Sequence, residues 1–243
     1  KPNYQKAIQC FELAAQLNNS DAYYELGNLY YYGIGVEKDI LKAKKYYELS
    51  SDLNNKKALN NLGYLYENGI GVKKDYQNAI KYYKLAAEQN NSNALLNLGN
   101  IYFNSFDFPK DISKAIYYYE LAAKLNNSSA LNNLGNIYSS DFLKENDYSK
   151  AIQYYHRAAC LNNSNALYNL GDLYFFGCGV EQNYLKALKY FEFSALLNNS
   201  MAYLKLGCIY LYGIGVEQNY LKAKNYFEIS IKNDNPDGFF IWV

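Results

Sequence analysis

This sequence has little of what several classes of protein require. Its 243 residues include one histidine, and no stretch approaches the roughly 20 consecutive apolar residues of a membrane-spanning helix. The 24 basic and 23 acidic side chains nearly cancel and are interspersed, so no basic face for nucleic acid or anionic membranes is visible. We therefore expect a chain that neither inserts directly into a membrane nor binds nucleic acid.

The chain also lacks an initiating methionine and a recognisable leader. It opens Lys1-Pro2-Asn3, with neither a charged n-region nor an apolar h-region, so we interpret it as a fragment or a processed product. Half of the residues are nevertheless hydrophobic, which is enough for a sizeable core.

What the sequence does contain is an internal repeat of 36 residues, without insertion or deletion. A Leu-Gly dipeptide recurs, with an alanine five residues before each of its glycines and a tyrosine three residues after each. The glycines are Gly27, Gly63, Gly99, Gly135, Gly171 and Gly207. A fixed period of this length is typical of repeat proteins, in which each unit buries its apolar face against its neighbours.

Each unit shows helical spacing twice. Ala22, Leu26 and Tyr30 lie on one helical stripe, and a second stripe begins at Ile40, so we predict a helix, a turn, a second helix and another turn. Tyr30, Tyr46, Tyr47 and their equivalents are predicted to lie in the core. The fold class that follows is all-α: an α-solenoid, forming a right-handed superhelix whose concave face is lined mainly by the first helix of each unit.

The turns carry their own signals. In four units a Gly-x-Gly-Val segment follows the first helix, and its first glycine can end that helix in the left-handed conformation. The second helix is expected to begin at an N-cap, which is Asp39, Asp75, Asp111, Asp147, Asn183 or Asn219. It is expected to end at Asn-Asn, and the serine that usually follows can cap the next helix.

The period sets the expected boundaries of a single domain over residues 1–243. The second helix of a leading partial repeat occupies 1–19, and residues 236–243 begin a truncated or capping segment. The six full repeats between them are 20–55, 56–91, 92–127, 128–163, 164–199 and 200–235.

The unit resembles the SEL-like repeat, a relative of the tetratricopeptide repeat. Residues 58–83 carry the pattern Ala-x3-Leu-Gly-x2-Tyr-x2-Gly-x-Gly-Val-x2-Asp-x3-Ala-x2-Tyr-Tyr. The resemblance implies a non-enzymatic adaptor that holds other proteins together, with no catalytic residue and no cofactor. The chain departs from the family pattern in its Asn-Asn turns and in residues 104–109 and 140–145, where the Gly-x-Gly-Val turn is lost.

Residues with catalytic or metal-binding potential fit this interpretation poorly. Cys10, Cys160, Cys178 and Cys208 occupy four different phases of the period, so they form no repeated bridge and favour a reducing, cytoplasmic compartment. No two of them lie at ligand spacing, so we expect no metal site. His156 takes a position held by Glu or Lys in the other units, and we predict a solvated surface residue rather than a general base.

A peptide or protein partner is expected on the first helices, at positions that the core does not use. Amide side chains there can pair with peptide backbone, and aromatic side chains can anchor partner side chains. Two alternatives are that the asparagines support the neighbouring helix and that the tyrosines reflect an AT-rich genome. The candidate residues are Tyr24, Asn28, Asn61, Tyr64, Asn97, Asn100, Asn133, Asn136, Tyr168, Asn169, Asp172, Lys205 and Tyr212.

Three functional hypotheses follow. The leading one is an adaptor that binds a peptide or protein on the concave face, and the second is an inhibitor or immunity-type protein that occludes one folded toxin or enzyme. The third, a β-lactam-binding or hydrolysing protein, is weakened by the phases of the cysteines. Self-association through the apolar segment Gly238-Phe239-Phe240-Ile241-Trp242-Val243 is a further way in which the chain could find a partner.

Overall fold

A computed structural model describes residues 3–104, 108–140, 142–143 and 146–233, and within these ranges it contains thirteen α-helices and no strand. The helices are α1 (Tyr4–Gln16), α2 (Ser20–Tyr32), α3 (Ile40–Asp52), α4 (Lys56–Asn68), α5 (Tyr76–Glu88), α6 (Ser92–Asn104), α7 (Ile112–Lys124), α8 (Ser128–Tyr138), α9 (Tyr148–Cys160), α10 (Ser164–Phe176), α11 (Tyr184–Leu196), α12 (Ser200–Tyr212) and α13 (Tyr220–Lys232). Even-numbered helices are the first helices of the repeats, and odd-numbered helices are the second helices. The predicted all-α class is confirmed.

The helices pack in chain order within two compact units, Lys1–Leu125 and Asn126–Val243. In each unit a first helix packs most closely on the second helix of its own repeat and less closely on the second helix that precedes it. The units are therefore stacks of helical hairpins, as the period predicts for an α-solenoid. That residues 1–243 form a single domain stays a prediction.

The hairpins approach closely where the Leu-Gly glycine meets an aromatic ring. A Cβ atom at Gly63 of α4 would lie 2.6 Å from Cδ1 of Tyr83 of α5, whose side chain is fully buried. The same contact recurs in every repeat, as Gly27 with Tyr47, Gly99 with Tyr119, Gly135 with Tyr155, Gly171 with Phe191 and Gly207 with Phe227. The glycine thus makes room for the largest core side chain of each hairpin.

The tyrosines divide into two environments. The prediction of core burial is confirmed for Tyr47 and its equivalents and for Tyr102 and Tyr210, the equivalents of Tyr30 in repeats 3 and 6, but Tyr30 and Tyr46 themselves are only half-buried. Their rings stack with centroids 5.6 Å apart, and the Lys42 ammonium lies 4.1 Å from the centroid of the Tyr30 ring. This lysine–tyrosine–tyrosine stack recurs in repeats 3 to 6. In each of these repeats the second-helix tyrosine of the stack is half-buried.

The Asn-Asn turn differs from the prediction in one respect. Its first asparagine is left-handed, as expected, with φ of 58° at Asn18 and Asn54. The cap of the next helix, however, is the second asparagine rather than the serine: Asn19 Oδ1 accepts from the backbone N–H of Ala22 at 3.0 Å, and Ser20 is already the first helical residue. Amide and hydroxyl oxygens can both cap, so spacing decides which one does.

The turn after the first helix has the predicted caps. Gly33, Gly69, Gly177 and Gly213 are left-handed C-caps, and the predicted Asp and Asn N-caps all accept hydrogen bonds from the second helices. The second glycine is left-handed too and touches the preceding repeat, since a Cβ at Gly71 would lie 2.6 Å from Cγ2 of Ile40. The divergent turns 104–109 and 140–145 fall partly outside the described residues, and the apolar segment 238–243 falls wholly outside them.

Candidate functional site

The buried tyrosine of the second helix uses the asparagine at the ninth position of the first helix. Tyr47 donates its hydroxyl to Asn28 Oδ1 at 2.9 Å, and the same bond joins Tyr119 to Asn100 and Tyr155 to Asn136, both at 2.8 Å. A phenol buried in the core needs a partner, and the amide supplies it at the edge of the core. Three of the candidate binding residues therefore have a role inside the protein.

In repeat 2 a carboxylate accepts the hydrogen bond of the buried phenol. Its ninth position is Tyr64, so the Tyr83 hydroxyl donates instead to Glu67 Oε2, at 2.6 Å. Burial raises the pKa of the Glu67 carboxyl, although the bond from Tyr83 and the charge of Lys74 both act to lower it. The sequence analysis did not select Glu67 as a candidate. It could have done so, because Glu67 stands where repeats 1, 3 and 5 have the aromatic residues Tyr31, Phe103 and Phe175.

Glu67→Gln gives a direct test of this environment. Because the folded-state pKa is raised above the usual value of about 4.5, the wild-type carboxyl contributes most to stability while it is protonated, and that contribution is lost as pH rises through the folded-state pKa. We expect the stability of Glu67→Gln relative to wild type to increase between pH 4 and pH 8. Urea unfolding of both proteins across that range measures this difference, and a difference that stays constant or falls with pH contradicts the assignment.

Repeat 5 replaces the phenol by Phe191 and the asparagine by Asp172. The carboxylate pairs with Lys205 of the next repeat, with Nζ 3.0 Å from Oδ1. The ammonium also lies 5.0 Å from the ring centroid of Phe175, 5.1 Å from Phe176 and 5.8 Å from Phe191. Two further candidate residues, Asp172 and Lys205, are thus brought together in an aromatic cage.

Amides also connect successive first helices. Within the first unit, Asn97 Nδ2 donates to Asn60 Oδ1 at 3.2 Å. Within the second unit, Asn169 Nδ2 donates to Asn132 Oδ1 at 3.0 Å and to Asn136 Oδ1 at 2.9 Å, which occupies both of its donors. These bonds support the alternative that such asparagines hold the neighbouring helix, and their use in peptide binding stays a prediction.

The remaining candidates lie at or near the surface of the first helices. Tyr24 packs on Tyr47 with ring centroids 6.1 Å apart, Tyr168 packs on Phe191 at 5.5 Å, and Asn133 is half-buried. Four aromatic side chains on these helices are largely exposed: Tyr32 at 65%, Tyr64 at 45%, Phe176 at 61% and Tyr212 at 69%.

In the first unit the aromatic residues enclose a cleft of about 240 Å³. We call it the tyrosine cleft; its lining residues are Tyr31, Tyr32, Tyr47, Asn61, Tyr64 and Leu65. Burial and the neighbouring phenols of Tyr64 and Tyr32 raise the pKa of Tyr31. A cleft of this size lined by rings and one amide suits a single side chain of a partner.

The cysteines and the histidine are not among the residues that line the tyrosine cleft. The four cysteines are free thiols, with Cys10 and Cys160 exposed and Cys178 and Cys208 half-buried. His156 is exposed, as predicted, and partial burial of its ring together with the Lys186 charge lowers its pKa. In the described part of the chain, no three His, Cys, Asp or Glu side chains form a group that could hold a metal ion. None of the helices described there combines the length and the apolar character that a membrane crossing needs.

Hairpins stacked in chain order, with a glycine where the two helices of each full repeat cross and amides joining successive first helices, define the class of helical-repeat proteins. The chain belongs to the Sel1 repeat family, whose model matches residues 1–19, 20–55, 56–91, 92–127, 128–163, 164–199 and 200–235. The resemblance to the SEL-like repeat is thereby confirmed. Proteins of this family are generally protein-interaction scaffolds without enzymatic activity.

Solved structures agree with this assignment. A Sel1 repeat protein from Oxalobacter formigenes is 32% identical, with a TM-score of 0.87 over 95% of both chains. The protective antigen c5321 of uropathogenic Escherichia coli strains is 32% identical, with a TM-score of 0.79 over 96% of this chain; this chain spans half of its length. An immunity protein from Pseudomonas aeruginosa shares the fold at 20% identity, with a TM-score of 0.63 over 88% of this chain and 81% of its own. A search of curated proteins gives no match.

Proposed function

We propose that this chain is a non-enzymatic adaptor that binds a peptide or an extended protein segment on the surface of its first helices. The observation that carries the proposal is the tyrosine cleft: Tyr32 and Tyr64 are exposed at its rim, while the Tyr47 ring behind them belongs to the core. Exposed tyrosines on a rigid scaffold bury much area at small entropic cost, which makes them effective anchors.

The candidate asparagines have a narrower role in this proposal than in the sequence-based hypothesis. Asn169 uses both of its N–H donors and Asn97 uses one in bonds to neighbouring amides, so fewer amide donors are left for a partner than the sequence-based hypothesis assumed. The aromatic side chains supply most of the affinity, because fully desolvated rings dominate binding energies in protein interfaces.

The test is affinity capture with three proteins: wild type, a Tyr32→Ala/Tyr64→Ala double variant, and a Tyr117→Ala control. Tyr117 is 56% exposed but lies on second helix α7 of the same unit, so its loss changes surface aromatics without changing the cleft. We expect wild type and Tyr117→Ala to retain the partner. The double variant should bind it with at least tenfold lower affinity, which is the effect of truncating an interface hot spot.

The same experiment separates the proposal from the immunity-type alternative. A partner bound through its folded surface, in a one-to-one complex, would resist competition by peptides cut from its own sequence, whereas an adaptor's partner would be displaced by one of them. Equal capture by all three proteins would contradict a role of the cleft.

A further inference from the structure

A second hollow lies on the second helix of repeat 5. It has a volume of about 500 Å³, and we call it the α11 hollow; its described lining residues are Asn183, Leu185, Lys186, Lys189, Tyr190 and Phe193. All six belong to α11 or to its N-cap. The tyrosine cleft is formed by other helices, so the α11 hollow is a part of the molecule that the proposed function does not use.

The apolar part of this surface is a stripe along α11. Leu185, Phe193 and Leu196 are between 56% and 75% exposed, and they follow one another by two turns and then one turn, over roughly 16 Å of helix. Exposed apolar side chains grouped in this way mark a surface that a partner covers. The preceding second helix, α9, has no such stripe, because its residues at these positions are Ser149, Arg157 and Cys160.

The α11 hollow is positively charged, because two of its described lining residues are lysines and none is acidic. In repeats 3 and 4 the N-cap aspartate pairs with the lysine three residues later, as Asp111 does with Lys114 at 3.0 Å. Repeat 5 has the neutral cap Asn183, so Lys186 lacks that partner. Within the described residues, neither Lys186 nor Lys189 forms an ion pair.

Lys186 is held in place at this surface. Its Nζ atom donates to the Tyr174 hydroxyl at 2.7 Å and lies 4.0 Å from the centroid of that ring. A phenol accepts a hydrogen bond without neutralising the charge, and two N–H donors of the ammonium remain. The charge also reaches α9, where burial and then Lys186 lower the pKa of His156. The α11 hollow therefore combines apolar walls with a positioned cation.

We propose that the α11 hollow binds an acidic amphipathic helix of a partner protein, whose apolar side chains pack on Leu185 and Phe193 while its carboxylates pair with Lys186 and Lys189. Charge complementarity selects an acidic partner, and a stripe of three turns matches the apolar face of a helix. A hollow admits the side chains of a segment, whereas a bilayer needs apolar groups that protrude. The adaptor then has one surface on its first helices and another on a second helix, for two different partners.

The test uses two fluorescent helical peptides of about four turns with the same leucine stripe. The positions that flank the stripe are all glutamate in one peptide and all glutamine in the other. Fluorescence anisotropy measures their affinities for wild type, Lys186→Gln/Lys189→Gln, Phe193→Ser and a Lys81→Gln/Lys84→Gln control. Lys81 and Lys84 are exposed on α5 in the first unit, so the control removes the same charge elsewhere. Circular dichroism verifies that the variants fold.

Wild type and the control are expected to bind the glutamate peptide about fivefold more tightly than the glutamine peptide, the effect of two exposed ion pairs. Lys186→Gln/Lys189→Gln should abolish this preference. Phe193→Ser should weaken the binding of both peptides about threefold and keep the preference, because it removes apolar contact alone. Absence of binding, equal affinity for the two peptides, or a preference that survives the loss of both lysines would overturn the inference.

Two further measurements distinguish other occupants of the α11 hollow. Neither binding to phosphatidylserine vesicles nor a gain of peptide affinity on removal of residues 234–243 is expected. Vesicle binding that is lost in Lys186→Gln/Lys189→Gln would show that the lysines serve an anionic membrane. Peptide binding that appears only after residues 234–243 are removed would show that the chain's own terminal segment takes the place of a partner. Either result would overturn the inference and leave the role of the tyrosine cleft standing.

Discussion

Replacing Tyr119 by alanine should destabilise the protein by about 3–5 kcal/mol, the usual effect of truncating a buried aromatic residue to alanine. The Tyr119 side chain is 0% exposed, its ring fills the space left by Gly99, and its hydroxyl donates to Asn100. The substitution therefore leaves a large cavity at the centre of a hairpin. Urea unfolding followed by circular dichroism measures the loss.

The neighbouring residue is the matched control. Tyr118 is half-buried and stacks on Tyr102 with centroids 5.7 Å apart, so Tyr118→Ala removes a partly exposed ring and should cost only about 1 kcal/mol. Both substitutions delete the same side chain from the same helix, one residue apart. Similar losses from the two would mean that the burial pattern of α7 is wrong.

The second large effect is expected at Gly71. Its φ is +67°, and an added Cβ would meet Cγ2 of Ile40 in the preceding repeat, so Gly71→Ala combines backbone strain with a collision. We expect a loss of about 3 kcal/mol, of which roughly 1–2 come from the left-handed backbone and the rest from overpacking.

Gly69→Ala separates these two contributions. Gly69 has nearly the same φ, +68°, but the atom closest to an added Cβ is the Lys74 Cβ at 3.3 Å, a tight contact rather than a collision. Gly69→Ala should therefore lose only about 1–2 kcal/mol of stability, from backbone strain alone. Combining Gly71→Ala with Ile40→Ala should restore part of the difference, since the two residues touch. If Gly69→Ala and Gly71→Ala destabilise equally, the second glycine is not a contact between repeats.

Most of the fold follows from the period. Glycine and alanine recur every 36 residues. Within each helix these recurring small residues lie on a single stripe, so that stripe is predicted to be the buried face. The cap of the first helices could have been predicted correctly as well: repeat 2 reads Asn54-Asn55-Lys56, so only the second asparagine is available to cap in every repeat. The half-burial of Tyr46 was not predictable from spacing, since its ring stacks on Tyr30 at the edge of the core rather than inside it.

The site was harder to predict, because its contacts cross between helices that sequence spacing does not relate. The bond from Tyr47 to Asn28 joins residues 19 apart, and Asn97 reaches Asn60 across 37 residues. A signal for the first bond does exist: tyrosine in the second helix accompanies asparagine in the first in repeats 1, 3 and 4, whereas phenylalanine accompanies Asp172 or Cys208. Only coordinates show that this pairing is a hydrogen bond.

The Asn-Asn turn has a consequence for how such a chain can evolve. All six turns share one backbone geometry, with φ between 56° and 58° at the first asparagine, and the second asparagine caps the helix that follows. Recombination between any two of these junctions joins a correct helix end to a correct helix start. The gene can therefore gain or lose whole 36-residue modules in one event, and natural selection can adjust the number of modules separately from the residues that each one displays.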